Sequence, residues 1–275
     1  MFRRNLLSIV RPTPASSKGL KYLEGIEEDG GITSGLTLDP TTGKTYPINN
    51  GYLDLLGRRS GADNIANLTN FLPGAGPLYE PLWRVHALSL LTGEDFPNER
   101  ELEIVFDLVG ASRDGLYLDL GCSAGLYTRG LEAKLGDTSS VIGIDISPSM
   151  LREAARQAKH SRISPSFARA DAANLPFASG VFTGAVCGGS LNEFGNPART
   201  LRERRRVLAP NGRVAIMGIL KAKTSRGRRL QRFLSTGGVR FFEPKEVKSL
   251  LDHAGFEPDS LEIHGAVFFA GATRR

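Results

Sequence analysis

The stretch Leu116-Tyr117-Leu118-Asp119-Leu120-Gly121-Cys122-Ser123-Ala124-Gly125 runs a short apolar pattern into an acid and then into a turn of small residues. Leu126 to Leu135 follow with apolar residues at helical spacing. Strand, small-residue turn and helix therefore succeed one another without a linker, the opening of a nucleotide-binding α/β unit.

From Gly115 onward, apolar runs alternate with helical patterns. The spacing predicts strands over 116–120, 141–146, 163–170, 181–187 and 213–220, with helices over 125–135, 148–159 and 197–208 between them. That alternation specifies an α/β fold, a parallel sheet covered by helices on both faces. Pro148, Pro197 and Pro244 sit near helix starts, and Gly255 follows the last helix as a C-terminal cap would. Leu261–His264 and Ala266–Ala270 are separated only by Gly265, too short a link for a parallel crossover, so they pair antiparallel or form one bent strand.

The 275 residues can hold one large α/β domain with a small appendage. No apolar run approaches the roughly 20 residues needed to cross a bilayer. Lys plus Arg exceed Asp plus Glu by 35 to 29, which permits an anionic partner without demanding one. Cys122 and Cys187 form neither a disulfide framework nor a CxxC zinc pair, and a reducing, cytoplasmic setting fits. Residues 1–23 contain Arg3, Arg4, Arg11, Lys18 and Lys21 and no acid. They are similar to a transit peptide or a basic interfacial helix, but a frayed basic terminus is the favoured expectation. Two strand-like runs, Ile32–Leu38 and Lys44–Ile48, make residues 24–76 a small β-rich module ending in a Gly-, Asn- and Ser-rich linker over 57–76. Residues 77–111 read as two lead-in helices, the first carrying Tyr79, Trp83, Arg84 and His86, the second starting at Pro97; the main domain spans 112–275.

A dinucleotide fingerprint needs glycine at three places in the turn. Here those places hold Gly121, Ser123 and Leu126, so the pyrophosphate cradle is absent, and no Gly-Lys-Ser/Thr follows to make a P-loop. Asp145 ends the next strand, where a carboxylate can accept hydrogen bonds from both hydroxyls of a ribose. Asp171 closes the third. With Asp119, three acids thus fall at three successive strand ends.

Those pieces, with Gly143–Leu151, Ala170-Asp171-Ala172, Leu175-Pro176-Phe177, Arg206–Gly212 and Phe242–Phe256, resemble the class I S-adenosylmethionine-dependent methyltransferases over roughly residues 112 to 273. The resemblance implies a Rossmann-like, doubly wound seven-stranded sheet, mostly parallel with an antiparallel C-terminal strand. It implies S-adenosyl-L-methionine as cofactor, with Gly121, Ser123 and Gly125 under the methionine part, Asp145 on the ribose, and Asp171 and Ala172 at the adenine. Asp119, Cys122, Ile146 and Met150 complete the cofactor set, and Cys187, Gly188 and Gly189 line the fourth strand near the sulfonium. Ser123 departs from the family, where glycine is commonest. In-line methyl transfer requires no metal, and none is expected; alignment of the reactants supplies much of the rate. Asn192 and Glu193, beyond the fourth strand, are the catalytic candidates.

The expected acceptor is a small, lipophilic or ring-containing metabolite. The N-terminal module is similar to that of chloroplast-associated plant methyltransferases and their bacterial relatives. The alternative is an rRNA or tRNA base, because Gly51-Tyr52-Leu53-Asp54-Leu55-Leu56 is similar to the end of the ribbon module of ribosomal guanine methyltransferases, although the zinc-binding cysteines are missing. A non-catalytic cofactor-binding regulator is a third reading. Arg199, Arg202 and Arg206 form one helical stripe, and Arg226, Arg228, Arg229 and Arg232 lie close to Phe233. An RNA backbone or an anionic membrane surface would suit them, with a solvated basic face favoured.

Overall fold

The computed structural model describes residues 1–28, 31–57, 85–111 and 114–275. The linker expected over 57–76 and the start of the first lead-in helix, with Tyr79, Trp83 and Arg84, lie outside the described residues, as does the side chain of His86.

The strands are β1 (Phe2–Arg3), β2 (Lys21–Glu28), β3 (Gly31–Leu38), β4 (Thr45–Asn49), β5 (Tyr52–Asp54), β6 (Leu116–Leu120), β7 (Ser140–Asp145), β8 (Ser166–Arg169), β9 (Phe182–Gly188), β10 (Leu208–Ile219), β11 (Phe256–His264) and β12 (Val267–Arg274). The helices are α1 (Val85–Thr92), α2 (Asn98–Val109), α3 (Leu126–Leu135), α4 (Pro148–His160), α5 (Pro197–Val207), α6 (Ser225–Thr236) and α7 (Pro244–His253). The predicted strand over 163–170 is shorter than its apolar run, and the one over 213–220 starts earlier, at Leu208. Helix α6 is an addition that its arginines did not announce.

Across the main domain the strands run β8-β7-β6-β9-β10-β12-β11, the first five parallel and β12 antiparallel to both neighbours. The alternating pleat sends successive residues to opposite faces. Tyr117, Val141, Val186, Ala215 and Phe269 pack with Val105 and Phe106 of α2 and Leu131 of α3. Their neighbours Leu118, Ile142, Cys187, Ile216 and Phe268 pack on the other face with Leu201 of α5 and Val247 and Leu251 of α7. The order reverses at β6, so the strand ends of β6, β7 and β9 open a crevice at the switch point.

One expectation is corrected. The N-terminal β-strands are not a separate module: they extend the same sheet to twelve strands, in the order β1-β3-β4-β5-β8 with β2 paired to β3. β5 pairs parallel with β8 through Leu53 with Ala168 and Asp54 with Arg169, and the Arg169 guanidinium reaches Asp54 at 3.2 Å. Nor does the basic terminus fray. Phe2, Leu6, Leu7 and Val10 are buried in the main core beside Ile32, Ile48 and Leu53. Arg3 pairs with Glu132 of α3 and donates to Ser139 O at 3.0 Å, Ser140 Oγ at 2.7 Å and Ser164 O at 3.2 Å. The physical reason is that β8 would otherwise be an open sheet edge: β5 pairs with it, and the apolar residues hidden among the N-terminal cations pack in the core beside the strands so added.

Candidate functional site

The turn after β6 takes its shape from backbone that few residues adopt: Gly121, Ser123 and Gly125 all have positive φ, at 66°, 50° and 83°. Glycine accepts this at no steric cost. At Gly121 the requirement is also one of space, since a Cβ there would lie 2.4 Å from Ser190 Oγ. Ser123, the departure from glycine, is held by its own contacts: its N–H donates to Asp145 Oδ2 at 2.9 Å and its hydroxyl meets Met150 Sδ at 3.5 Å. Cys122 N–H reaches back to Ile144 O at 2.9 Å, binding the turn to β7.

Asp145 stands half-buried at the end of β7. Its carboxylate oxygens accept backbone N–H groups, Oδ2 from Ser123 at 2.9 Å and Oδ1 from Ser147 at 2.8 Å, at the strand end where a ligand diol would reach them. Burial pushes its pKa up, and the N–H groups of Ser147, Ser123 and Ile146 pull against that. Ala170 N–H donates to Asp145 O at 3.1 Å, which brings the Asp171-Ala172 loop to the same edge. Asp171 closes that loop on itself, accepting from Ala173 N at 2.8 Å and Asn174 Nδ2 at 2.7 Å.

Beyond β9, a single 3-10 turn, Ser190–Asn192, folds over the glycine turn, with Ser190 Oγ donating to Gly121 O at 3.0 Å. Glu193 follows this turn, near enough to Asp145 to feel its charge. Burial first, and the Asp145 charge second, raise the Glu193 pKa to about 7. The site thus holds two carboxylates with different protonation behaviour, the pattern that lets one bind while the other moves a proton.

Several predicted residues do other work. Asp119 is buried beneath the turn and accepts from Thr128 Oγ1 at 2.6 Å, fixing the first turn of α3. Cys122 is buried, and burial, then Asp119 and Asp145, push its thiol pKa well up, so it packs rather than reacts. The Cys187 side chain turns into the core, away from the expected sulfonium position, and lies close to the guanidinium of Arg204. Gly188 allows the Tyr127 ring to sit against β9, 2.7 Å from where a Cβ would be. Ile146 contributes its carbonyl to Arg169 Nε at 3.0 Å.

Asn192 is a correction. Its side chain is only 1% exposed; Nδ2 donates to Ile219 O at 2.9 Å and Arg240 O at 2.6 Å, and Oδ1 accepts from Ile219 N at 2.9 Å. An amide with every group so engaged ties β10 to the chain ahead of α7 and has nothing left for a substrate. Asn192→Ala should therefore lower stability by about 1–3 kcal/mol, the cost of orphaned buried polar groups, and leave cofactor affinity unchanged; denaturant melts and a binding titration on the same sample check both. The basic stripe is corrected in part: Arg199 donates to Ala173 O at 3.0 Å, and Arg206 donates to Leu175 O and Phe177 O, each at 2.8 Å, so two of its three members brace the loop after β8.

Residues 118–216 match the family model described as a methyltransferase domain. That stretch is similar to a methyltransferase domain, and the rest of the chain lies outside the match. Over 133 residues the chain is 31% identical to a 2-phytyl-1,4-naphtoquinone methyltransferase of Trichormus variabilis, the match covering 48% of this chain and 58% of that one. Over 180 residues it is 29% identical to an uncharacterized chloroplastic methyltransferase of Arabidopsis thaliana, covering 62% and 50%. The chain thus spans little more than half the length of the curated relatives it matches. The crystal structure of a SAM-dependent methyltransferase from Aquifex aeolicus superposes with a TM-score of 0.55 at 21% identity, covering 68% of this chain and 98% of that one, which shows the shared fold. Within the matched stretch, Phe194 is the residue sequence reasoning missed: its ring stands 3.8 Å from where a Gly121 Cβ would be, beside Glu193. A lone phenylalanine after an acid gives no signal of that.

Proposed function

We propose that the chain is an S-adenosylmethionine-dependent methyltransferase whose acceptor is a small lipophilic ring compound of the quinol type. The carrying observation is the pair of carboxylates at the strand ends, Asp145 offering two oxygens for a diol and Glu193 with a pKa of about 7. The donor set fits the cofactor. Asp145 suits the ribose hydroxyls, the open turn 121–125 passes under a group without phosphates, and the Asp171–Ala172 loop lies at the adenine side. Bound there, S-adenosylmethionine supplies an electrophilic methyl group. Glu193, partly ionised at neutral pH, takes the proton that a phenolic hydroxyl or ring carbon must lose. The similarity to a naphtoquinone methyltransferase supports a lipophilic ring acceptor. RNA is the second reading, and the engagement of Arg199 and Arg206 within the fold counts against it. Two buried free cysteines suit a reducing compartment, and we place the activity in the cytoplasm.

Incubation with methyl-labelled cofactor and separate lipid, small-molecule and RNA fractions tests this assignment. Label is expected in the lipid fraction; label in RNA alone overturns it.

Glu193→Gln gives a sharper test. In kcat/KM the protein should show a limb rising with pH through about 7. The variant should lose that limb and about 10²–10⁴ in rate. Stability moves the other way. Between 4.5 and about 7 the folded protein keeps a proton that the unfolded chain has released, so stability falls as pH rises through that window. The glutamine variant should lack this fall and be the more stable protein at pH 8; melts across the range read the difference.

A further inference from the structure

Helix α6, Ser225–Thr236, buries none of its residues. A helix this short is marginal without packing on an apolar face. Here Thr224 caps it by accepting from Gly227 N at 3.1 Å, and Gln231 tethers it to the end of β10 through Ala222 N and Leu220 O, both at 2.8 Å. Its apolar residues Leu230, Phe233 and Leu234 are spaced i, i+3, i+4, so they form one stripe. They are exposed by 59%, 73% and 39%. Arg226 and Arg229 sit one turn before Leu230 and Phe233 and border that stripe, Arg228 and Arg232 fall on the opposite side, and the helix has no acid. The nearby acids Glu243 and Glu246 pair with Lys221 and Arg240. Arg226, Arg229 and Arg232 have no ion-pair partner among the described residues.

We propose that this face of α6 docks on an anionic bilayer surface, with Leu230, Phe233 and Leu234 entering the acyl boundary and the arginines meeting lipid phosphates. Charge complementarity selects the partner. An apolar stripe flanked by cations, with no acid, is the composition of a helix lying in a membrane interface. A second copy of this chain would bring arginine against arginine. RNA would gain from the arginines, but Leu230 and Leu234 offer nothing to stack on a base. Continuity with the site selects the purpose. A groove of about 940 Å³ beside α6 is lined by the cations Lys221, Arg228, Arg229, Arg232 and Arg240 together with Val239, Phe241 and Phe194. Phe194 is the neighbour of Glu193, so one end of the groove lies near the proposed base. On this proposal the groove would bring a lipophilic acceptor from the bilayer toward Glu193. The purpose rests on the lipophilic-acceptor reading above; the docking does not.

Co-sedimentation of the full chain with vesicles tests it. Binding is expected to phosphatidylcholine vesicles containing phosphatidylglycerol and not to phosphatidylcholine alone. Arg226→Gln with Arg229→Gln should weaken it by about thirtyfold. Leu230→Ser, Phe233→Ser and Leu234→Ser together should weaken it by about a hundredfold. Thermal melts should be unchanged, since all these side chains are exposed. Binding equal on the two vesicle types, or unaltered by the serine variant, overturns the docking. So does binding of bulk tRNA that displaces the protein from vesicles and ignores the serine substitutions. Methylation of a short-chain, water-soluble quinol by a protein that ignores vesicles sinks the docking alone. Vesicle binding without methylation of any quinol sinks the acceptor assignment and leaves the docking standing.

Discussion

Asp145→Ala is expected to weaken binding of adenosylhomocysteine by about a hundredfold to a thousandfold while the chain stays folded. The size follows from two charge-assisted hydrogen bonds to a diol at about 1.5–3 kcal/mol each, less than fully additive, with tenfold in affinity for each 1.4 kcal/mol. The substitution also frees the N–H groups of Ser123 and Ser147, which the two carboxylate oxygens hold at 2.9 and 2.8 Å. The glycine turn then loses its brace to β7 and adds to the affinity loss. The fold survives because the carboxylate sits half-buried at a strand end, outside the packed faces of the sheet, and because its removal relieves the same burial that raises its pKa. Asp145→Asn keeps one acceptor and should fall between wild type and alanine. Calorimetric titration reads the affinities and circular dichroism the fold; a tenfold-or-smaller loss in the alanine variant would remove Asp145 from the cofactor site.

Phe2→Ala should cost about 3–5 kcal/mol of stability, the range for deleting a fully buried aromatic ring. A terminal residue earns so large a value only if the terminus is part of the core. Phe2 has 0% exposure, pairs with Ile32 across β1 and β3, and shares its cluster with Leu6, Leu7, Val10 and Leu53. Arg3 reinforces the attachment by pairing with the buried Glu132 carboxylate of α3. Urea unfolding measures the effect. A change within about 0.5 kcal/mol, the range of ordinary surface substitutions, would return residues 1–10 to the status of a loose basic tail.

These two sites mark the limits of what the amino-acid order discloses. The glycine turn and the acids after β6, β7 and β8 are local: apolar run, acid and small residues lie within ten positions, and each pattern carries its own geometry. The strand alternation likewise pointed to the α/β class, and the short link at Gly265 left antiparallel pairing or one bent strand, of which the structure shows the first, β11 on β12. The docking of β5 on β8 is different, since Asp54 and Arg169 are far apart in the chain and nothing in either neighbourhood names the other. The apolar residues near the N-terminus were visible, but their cationic neighbours suggested solvent, and only the open edge of β8 explains why they are buried. Asn192 failed for a related reason. A polar residue after the fourth strand looks catalytic in one dimension, and its three hydrogen bonds to Ile219 and Arg240 exist only once β10 and the segment ahead of α7 are in place. Glu193, one residue later, was named as a candidate on the same grounds, and it is its burial in the fold, with the Asp145 charge second, that raises its pKa.

The central claim is that the strand-end cradle is shaped for an adenosyl group attached to a sulfur-bearing amino acid, and not for a dinucleotide. Equilibrium competition measures this directly: labelled S-adenosylmethionine bound to the full chain, challenged in parallel with adenosylhomocysteine and with NAD. Adenosylhomocysteine should displace the label completely at one site and NAD should leave it in place. Displacement by NAD with none by adenosylhomocysteine would contradict the account.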